Sequence, residues 1–189
     1  MNGLRHLARP FSLLLLVGCL LSTESVQARR SGAVRQTVDM IVIHSTGGPT
    51  CDPTTGKPVW VKAGKLEENM RVIEAHPVLG IHYMIDRDGV LLKSIPEKQV
   101  AHHVFSHSAR SIAIELINDG DGLDPFPEAQ LATLVDLLRD LKARWGVKRE
   151  AVKRHSDLDQ ALMPCDRRQR RKVDPGAAFP FNVTLDRVY

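Results

Sequence analysis

Two short runs of nearly continuous apolar character constrain the fold of this chain more than any other feature. Val38 to His44 reads V-D-M-I-V-I-H, and Ser111 to Asn118 reads S-I-A-I-E-L-I-N. Both are rich in β-branched residues, which favours strands buried in a central sheet. Helical periodicity occurs at 66–75 and 128–145. The alternation predicts a single α/β domain with a mixed central β-sheet, flanked by helices, and a site at the strand ends.

The remaining pattern predicts shorter elements. Residues 80–86 and 90–95 are expected to form two strands joined by a turn at Arg87-Asp88-Gly89, with the glycine in the left-handed position. A further short strand is predicted at 152–155. The Gly-, Pro- and Thr-rich residues 45–55 and the segment after His155 are predicted to be loops.

The first 28 residues predict an export signal. A basic start, an apolar run over 11–21 and Val26-Gln27-Ala28 fit a signal peptide, and Leu16-Val17-Gly18-Cys19 offers a lipobox as the alternative. A buried N-terminal helix is a third interpretation. The chain is therefore divided into a signal peptide (1–28), a linker (29–37) and a folded domain (38–189). The protein is expected to be periplasmic or secreted, or anchored by lipid at Cys19.

Charge and cysteine content indicate the kind of partner and the redox compartment of the protein. The net charge of +4 suits an anionic polymer as partner, without deciding which one. No run of 18 apolar residues occurs, so no membrane span is expected in the mature form. Without the leader two cysteines remain, Cys51 and Cys165, and an oxidising compartment favours a disulfide between them over two free buried thiols.

Candidate chemistry is carried by a few polar residues beside the predicted strands. His44 and His155 each follow a strand, and an acidic residue occurs late, in K-V-D-P-G over 172–176. Two imidazoles with one carboxylate or thiolate, and one open position, form a catalytic zinc arrangement. Glu115 lies within an apolar strand, where a carboxylate is costly unless it is paired or functional.

Five blocks in order resemble a known family. They read I-V-I-H-S-T, H-Y-M-I-D-R-D-G, S-I-A-I-E-L, R-H-S-D-L and R-K-V-D-P-G-A-A-F, and they cover roughly residues 38–181. Together they are similar to the type-2 N-acetylmuramoyl-L-alanine amidases. The chain departs from the family pattern at Ser108, where Asn is frequent, and at Ala113, where Gly is frequent.

The resemblance implies a role for each of seven residues. The zinc ligands are expected to be His44, His155 and Asp174. The expected catalytic residues are Glu115, as the proton-transfer group, and Lys172, which steadies the developing oxyanion. Two residues are expected to contact substrate, Tyr83 and His103.

The resemblance also implies a function. It predicts a monomeric zinc hydrolase that cleaves the amide between the lactyl group of N-acetylmuramic acid and L-alanine. The expected partner is peptidoglycan or a muropeptide fragment and not nucleic acid. Two alternatives are a binding module that does not cut, and a zinc amidase acting on another amide.

Two further points stay open at the level of sequence. Some family members use a cysteine as third ligand, so Cys165 competes with Asp174; the neighbouring Lys172, Pro175 and Gly176 favour Asp174. The arginines at 167, 168, 170 and 171 form either a solvated basic loop or a contact for carboxylates of the substrate.

Overall fold

A five-stranded mixed sheet forms the centre of the molecule. The computed structural model describes residues 31–189, with side chains from residue 34 onward. The sheet consists of β2 (Met40–Ser45), β5 (Tyr83–Ile85), β6 (Leu91–Lys93), β8 (Ser111–Leu116) and β9 (Val152–Arg154). Their order is β6-β5-β8-β2-β9, with β6 and β9 at the edges. The strands β5, β8, β2 and β9 run parallel to one another, whereas β6 is antiparallel to β5.

Within residues 31–189, two small ribbons and four α-helices surround this sheet. One ribbon pairs β1 with β7, and the other pairs β3 with β4. The ribbon strands are β1 (Ser31–Val34), β3 (Gly48–Cys51), β4 (Pro58–Val61) and β7 (Gln99–Val100). The helices are α1 (Leu66–Ala75), α2 (Glu128–Trp145), α3 (His155–Leu158) and α4 (Phe181–Asp186). The predicted α/β architecture with a mixed central sheet is confirmed.

The alternation along β8 separates the two faces of the sheet. Ile112 and Ile114 belong to the main core cluster, which contains the apolar stripe of α2. Ala113 packs in a separate cluster with Leu66 of α1. Because successive side chains of a strand point to opposite faces, Glu115 shares the face of Ala113, away from α2. The α2 stripe consists of Leu131, Leu134, Val135, Leu138 and Leu141, as the spacing predicts.

The turn chemistry also follows the sequence. Gly89 has φ +86° in the connection between β5 and β6, and Gly146 ends α2 with φ +69°. Both positions lie in the left-handed region, where a residue without Cβ is favoured.

Three segments that the sequence suggested as linker or loop contain strands or helices in the structure. The presumed linker 29–37 contains β1 and the buried Arg35, which donates hydrogen bonds to the carbonyl oxygens of Ser108 and Ser111 at 3.2 and 2.6 Å. The predicted loop 45–55 contains β3. The presumed loop after His155 contains α3 and α4, and α4 buries Leu185 in the main core.

The signal peptide prediction and the lipobox at Cys19 lie outside the described residues. Within 31–189, no helix combines the length and the apolar content needed to cross a bilayer.

Candidate metal centre and its cleft

Three side chains from distant parts of the chain converge at one end of the sheet. His44 lies near the end of β2, His155 opens α3 directly after the neighbouring strand β9, and Asp174 lies in the following loop. The Nδ1 atoms of His44 and His155 are 3.0 Å apart. Asp174 Oδ2 lies 3.2 Å from His44 Nδ1 and 2.9 Å from His155 Nδ1. All three residues are buried, and they form one group of potential metal ligands.

The donor set fits a zinc ion. Two ligands of tetrahedral zinc, with bonds of about 2.0–2.1 Å, lie about 3.3 Å from each other, close to the separations found here. Burial lowers the pKa of His44 to about 4, although the neighbouring Asp174 opposes the shift, so this imidazole is neutral at physiological pH. Neutral imidazoles and an ionised carboxylate are the forms that bind zinc.

Backbone packing holds Asp174 beside the histidines. The Ser156 amide donates to the Asp174 carbonyl oxygen at 3.0 Å, which joins the ligand loop to α3. Gly176 has φ +92°, and a Cβ on it would lie 2.6 Å from the carbonyl oxygen of Gly120. Gly176 therefore lets the ligand loop pack against the backbone that follows β8.

Glu115 stands next to His44 across the parallel pair of β2 and β8. Its Oε2 is buried and has no hydrogen-bond partner among the described residues. Burial raises the pKa of Glu115 to about 8; the charge of Asp174 adds to the shift and Lys172 opposes it. A buried carboxyl group without a partner is costly for stability, so its place beside potential ligands indicates a chemical role.

These groups line a common cleft of about 820 Å³. Lys172 and Arg171 also line it, together with apolar residues such as Leu79, Val104 and Phe105. The structure therefore gathers both predicted catalytic residues and all three predicted ligands around one opening.

His103 reaches the same cleft, but its ring nitrogens are engaged. Nδ1 lies 3.0 Å from His44 Nε2, and Nε2 lies 3.0 Å from Ser111 Oγ. Burial, together with the nearby His44, lowers its pKa well below the usual value. The resemblance assigns His103 to substrate binding, whereas in this structure both nitrogens contact protein groups.

Tyr83 is not part of the cleft. It pairs in register with Ile114, so it points to the α2 face of the sheet while Glu115 points to the opposite face. Its hydroxyl donates to Glu97, which also binds Arg144 and Trp145. The assignment of Tyr83 to the substrate site is corrected by this placement, since strand parity directs it elsewhere.

Cys165 is bonded to Cys51, with a Cα–Cα distance of 5.9 Å, as predicted. The bond joins the β3–β4 hairpin to the loop before Lys172. A cysteine in a disulfide offers no thiolate, so Asp174 and not Cys165 completes the group with His44 and His155.

The arginine run divides into two pairs. Arg170 donates to the carbonyl oxygens of Ser156 and Asp159, both at 2.6 Å, and Arg171 pairs with the Asp159 carboxylate. Arg168 is exposed and pairs with Asp166. The inner pair therefore ties the ligand loop to α3, an arrangement that neither interpretation of the sequence foresaw.

Two residues near the site were missed from the sequence. Ser111 links His103 to the carbonyl oxygen of His107, and Asp159 holds Arg171. The sequence held a signal for Ser111, which is a polar residue opening a buried strand, but none for Asp159, which lies eight residues before the first arginine of the run. Buried polar groups require partners.

Comparison with known proteins finds similarity to N-acetylmuramoyl-L-alanine amidases. A family model described as N-acetylmuramoyl-L-alanine amidase matches residues 34–177. N-acetylmuramoyl-L-alanine amidase AmiD of Escherichia coli K12 is 32% identical over 102 residues, which is 46% of this chain and 34% of AmiD. The matched segment thus spans about a third of that relative.

Solved structures share the fold. AmiD from E. coli, in complex with anhydro-N-acetylmuramic acid-L-Ala-D-γ-Glu-L-Lys, superposes with TM-score 0.62 at 23% identity, covering 84% of this chain and 60% of AmiD. AmpDh3 from Pseudomonas aeruginosa, in complex with anhydromuramic pentapeptide, gives 0.60 at 18%, covering 89% and 66%. LysC from Clostridium intestinale gives 0.56 at 23%, covering 79% and 84%.

At 18–23% identity these superpositions show only that the fold is shared. The family model, in contrast, matches most of the sequence. The chain belongs to the N-acetylmuramoyl-L-alanine amidase family.

Proposed function

We propose that this protein is an exported zinc-dependent amidase that hydrolyses the bond between the lactyl group of N-acetylmuramic acid and L-alanine. The substrate is peptidoglycan or a muropeptide released from it. One observation carries the proposal: Glu115, whose buried Oε2 has no hydrogen-bond partner in residues 31–189, lies beside the buried group of His44, His155 and Asp174 in an open cleft.

The centre fits a zinc ion in donor type and spacing. Such an ion supplies Lewis acidity, which polarises the scissile carbonyl and makes a nearby water more acidic. The three ligands come from β2, α3 and a glycine-anchored loop, so the fold itself brings them together. Their burial limits competition from bulk water on the protein side of the centre.

Glu115 is placed to move protons. As general base it accepts a proton from water, and as general acid it delivers that proton to the departing alanine nitrogen. Burial raises its pKa, and a cation at the centre lowers it again. The two opposing influences favour a pKa near the working pH, as a group that both accepts and donates a proton requires.

Lys172 lines the cleft, and its positive charge acts on both His44 and Glu115. Attack on an amide places negative charge on the carbonyl oxygen, and a cation held near that oxygen stabilises the transition state more than the ground state. The proposal therefore assigns electrostatic stabilisation to Lys172.

Two observations support the choice of substrate and compartment. AmiD and AmpDh3, which share this fold, were solved with anhydromuramic peptides bound. The bond between Cys51 and Cys165 suits an oxidising compartment, in agreement with an export signal over 1–28.

The test is digestion of purified peptidoglycan and of soluble muropeptides, with mass analysis of the products. We expect free peptides that begin at L-alanine and sugars that keep the lactyl carboxylate. A chelator should abolish their release, and added zinc should restore it.

Two other results would contradict the proposal. Cleavage within the stem peptide would indicate an amidase for another amide, and retention of muropeptide without any product would indicate a binding module. Glu115→Gln serves as the matched control, because it keeps the size of the side chain and removes its ability to take a proton.

A further inference from the structure

A line of hydrogen-bonded groups runs from the metal centre to a backbone carbonyl. His44 Nε2 lies 3.0 Å from His103 Nδ1, and His103 Nε2 lies 3.0 Å from Ser111 Oγ. The Ser111 hydroxyl donates to the carbonyl oxygen of His107 at 2.8 Å. Ser111 is fully buried at the start of β8, so water does not compete for its hydroxyl.

The carbonyl at the far end fixes the direction of every bond in this line. A carbonyl oxygen has no hydrogen, so Ser111 gives its only proton to His107 and can only accept from His103. His103 Nε2 must then carry the hydrogen. In a neutral imidazole the other nitrogen is an acceptor, so His103 Nδ1 accepts from His44 Nε2.

The consequence arises at the opposite edge of the His44 ring. With its hydrogen on Nε2, a neutral His44 keeps a bare lone pair on Nδ1, the atom that faces His155 and Asp174. A ligand histidine is commonly set in this way by a carboxylate or a carbonyl bound to its other nitrogen. Here a second histidine and a serine take that place.

We propose that His103 and Ser111 are positioning residues that fix the tautomer and ring orientation of His44, and so prepare the centre for zinc. The inference rests on the zinc centre of the proposed function. It replaces the substrate contact that the sequence assigned to His103. His103 can fix the orientation of His44 only if His103 is itself held in place.

The loop that carries His103 is fixed by its own bonds. The amides of His103 and Val104 both donate to Ser108 Oγ at 3.1 Å, and this hydroxyl donates to the Val104 carbonyl at 2.7 Å. The His103 ring is therefore supported at its backbone as well as at both nitrogens. A rigid support of this kind lowers the cost of ordering His44 when the ion binds.

The test measures zinc affinity of the purified protein by competition with a chromophoric chelator. His103→Phe keeps an aromatic ring but cannot accept or donate, whereas His103→Gln can do both. We expect His103→Phe and Ser111→Ala to weaken zinc binding by about 10- to 100-fold. His103→Gln should lose markedly less than His103→Phe.

The cobalt spectrum and the Tm distinguish a lost orientation of His44 from a general loss of stability. The absorption spectrum of the cobalt-substituted protein should change in His103→Phe, because the orientation of His44 is lost. Thr184→Val is the control, since it removes a buried hydroxyl in α4, outside the site. It should leave zinc affinity and the cobalt spectrum unchanged, whatever its effect on Tm.

The outcomes are distinguishable. If the wild-type protein binds zinc and His103→Phe and Ser111→Ala match it within twofold, the inference is wrong while the proposed function stands. Equal loss in His103→Gln and His103→Phe would also overturn it, because ring packing and not bond direction would then matter. A wild-type protein that takes up no zinc overturns the zinc centre and the inference together.

Discussion

His44 and Glu115 are direct neighbours on the parallel strands β2 and β8, on the sheet face turned away from α2. His44 belongs to the group of potential metal ligands, and Glu115 has a buried carboxyl oxygen that finds no partner in the part of the chain that the structure describes. Because both positions are fixed by strand register, the distance between ligand and proton-transfer group depends on the rigid centre of the fold and not on a mobile loop.

Replacement of Glu115 by glutamine separates metal binding from chemistry. The three ligands do not include Glu115, so Glu115→Gln should bind zinc within about twofold of wild type. Turnover of muropeptide should fall by at least about a hundredfold, the usual contribution of a general acid–base group. Zinc content and initial rates on the same preparation check this. A fully active variant would remove Glu115 from the mechanism.

The raised pKa of Glu115 predicts a pH-dependent stability in the presence of chelator. Its pKa rises from 4.5 in the unfolded chain to about 8 in the folded one. The folded state therefore holds the proton more tightly, and this stabilising contribution is full below about pH 4.5. It declines as the pH rises and is lost above about pH 8.

Urea unfolding of wild type and Glu115→Gln at several pH values tests this. The stability of wild type relative to the variant should decline between about pH 4.5 and pH 8 and then stay level. A difference that is constant over this range would show that Glu115 has the same pKa in both states.

Tyr83→Phe tests the placement of Tyr83 outside the cleft. The substitution removes one hydrogen bond to Glu97 on the α2 face and leaves every cleft residue in place. We expect kcat/KM within about twofold of wild type. The free energy of unfolding should fall by about 1 kcal/mol, the usual contribution of such a bond. A tenfold loss of activity at unchanged stability would return Tyr83 to the substrate site.

Strand β8 shows which features of the site a local sequence pattern can predict. In S-I-A-I-E-L, strand parity alone separates Glu115 from Ile112 and Ile114, as in the structure, because parity is a local property. Tyr83 was assigned by its place in a motif, and its direction depends on the register with Ile114, which no local pattern reveals. The β3 strand was missed because Gly48 and Pro49 are typical of loops, although pairing with β4 makes this segment extended.

The third ligand shows a second limit. Asp174 and Cys165 are both plausible donors in sequence, and the choice depends on which of them meets His44 and His155 in space. The disulfide between Cys165 and Cys51 excludes Cys165 as a ligand, and the two cysteines are 114 residues apart in the sequence. The disulfide itself was predictable from the count of cysteines after the leader, whereas its place beside the ligand loop was not.

Removal of the disulfide should destabilise the protein and loosen the centre. Cys51→Ala with Cys165→Ala frees a loop of about 115 residues, which in the chain-entropy model lowers the free energy of unfolding by about 4–5 kcal/mol. Zinc affinity should fall as well, since Cys165 anchors the loop that leads to Asp174. Denaturant unfolding and chelator competition measure the two effects. Unchanged zinc affinity in the folded variant would show that Arg170 and Arg171 hold the loop by themselves.

Gly176→Ala should disturb the ligand loop through the backbone. The new Cβ would lie 2.6 Å from the carbonyl oxygen of Gly120, and φ is +92°. Backbone atoms cannot yield as a flexible side chain does, so the loop must shift, at a cost of about 1–3 kcal/mol. Because Asp174 lies two residues away, zinc affinity should fall at least tenfold, by chelator competition. Gly56→Ala is the matched control, with φ +64° and no atom within 4 Å of the added carbon. It shares the conformational strain without the collision, so equal zinc affinity in the two variants would show that the contact with Gly120 does not position Asp174.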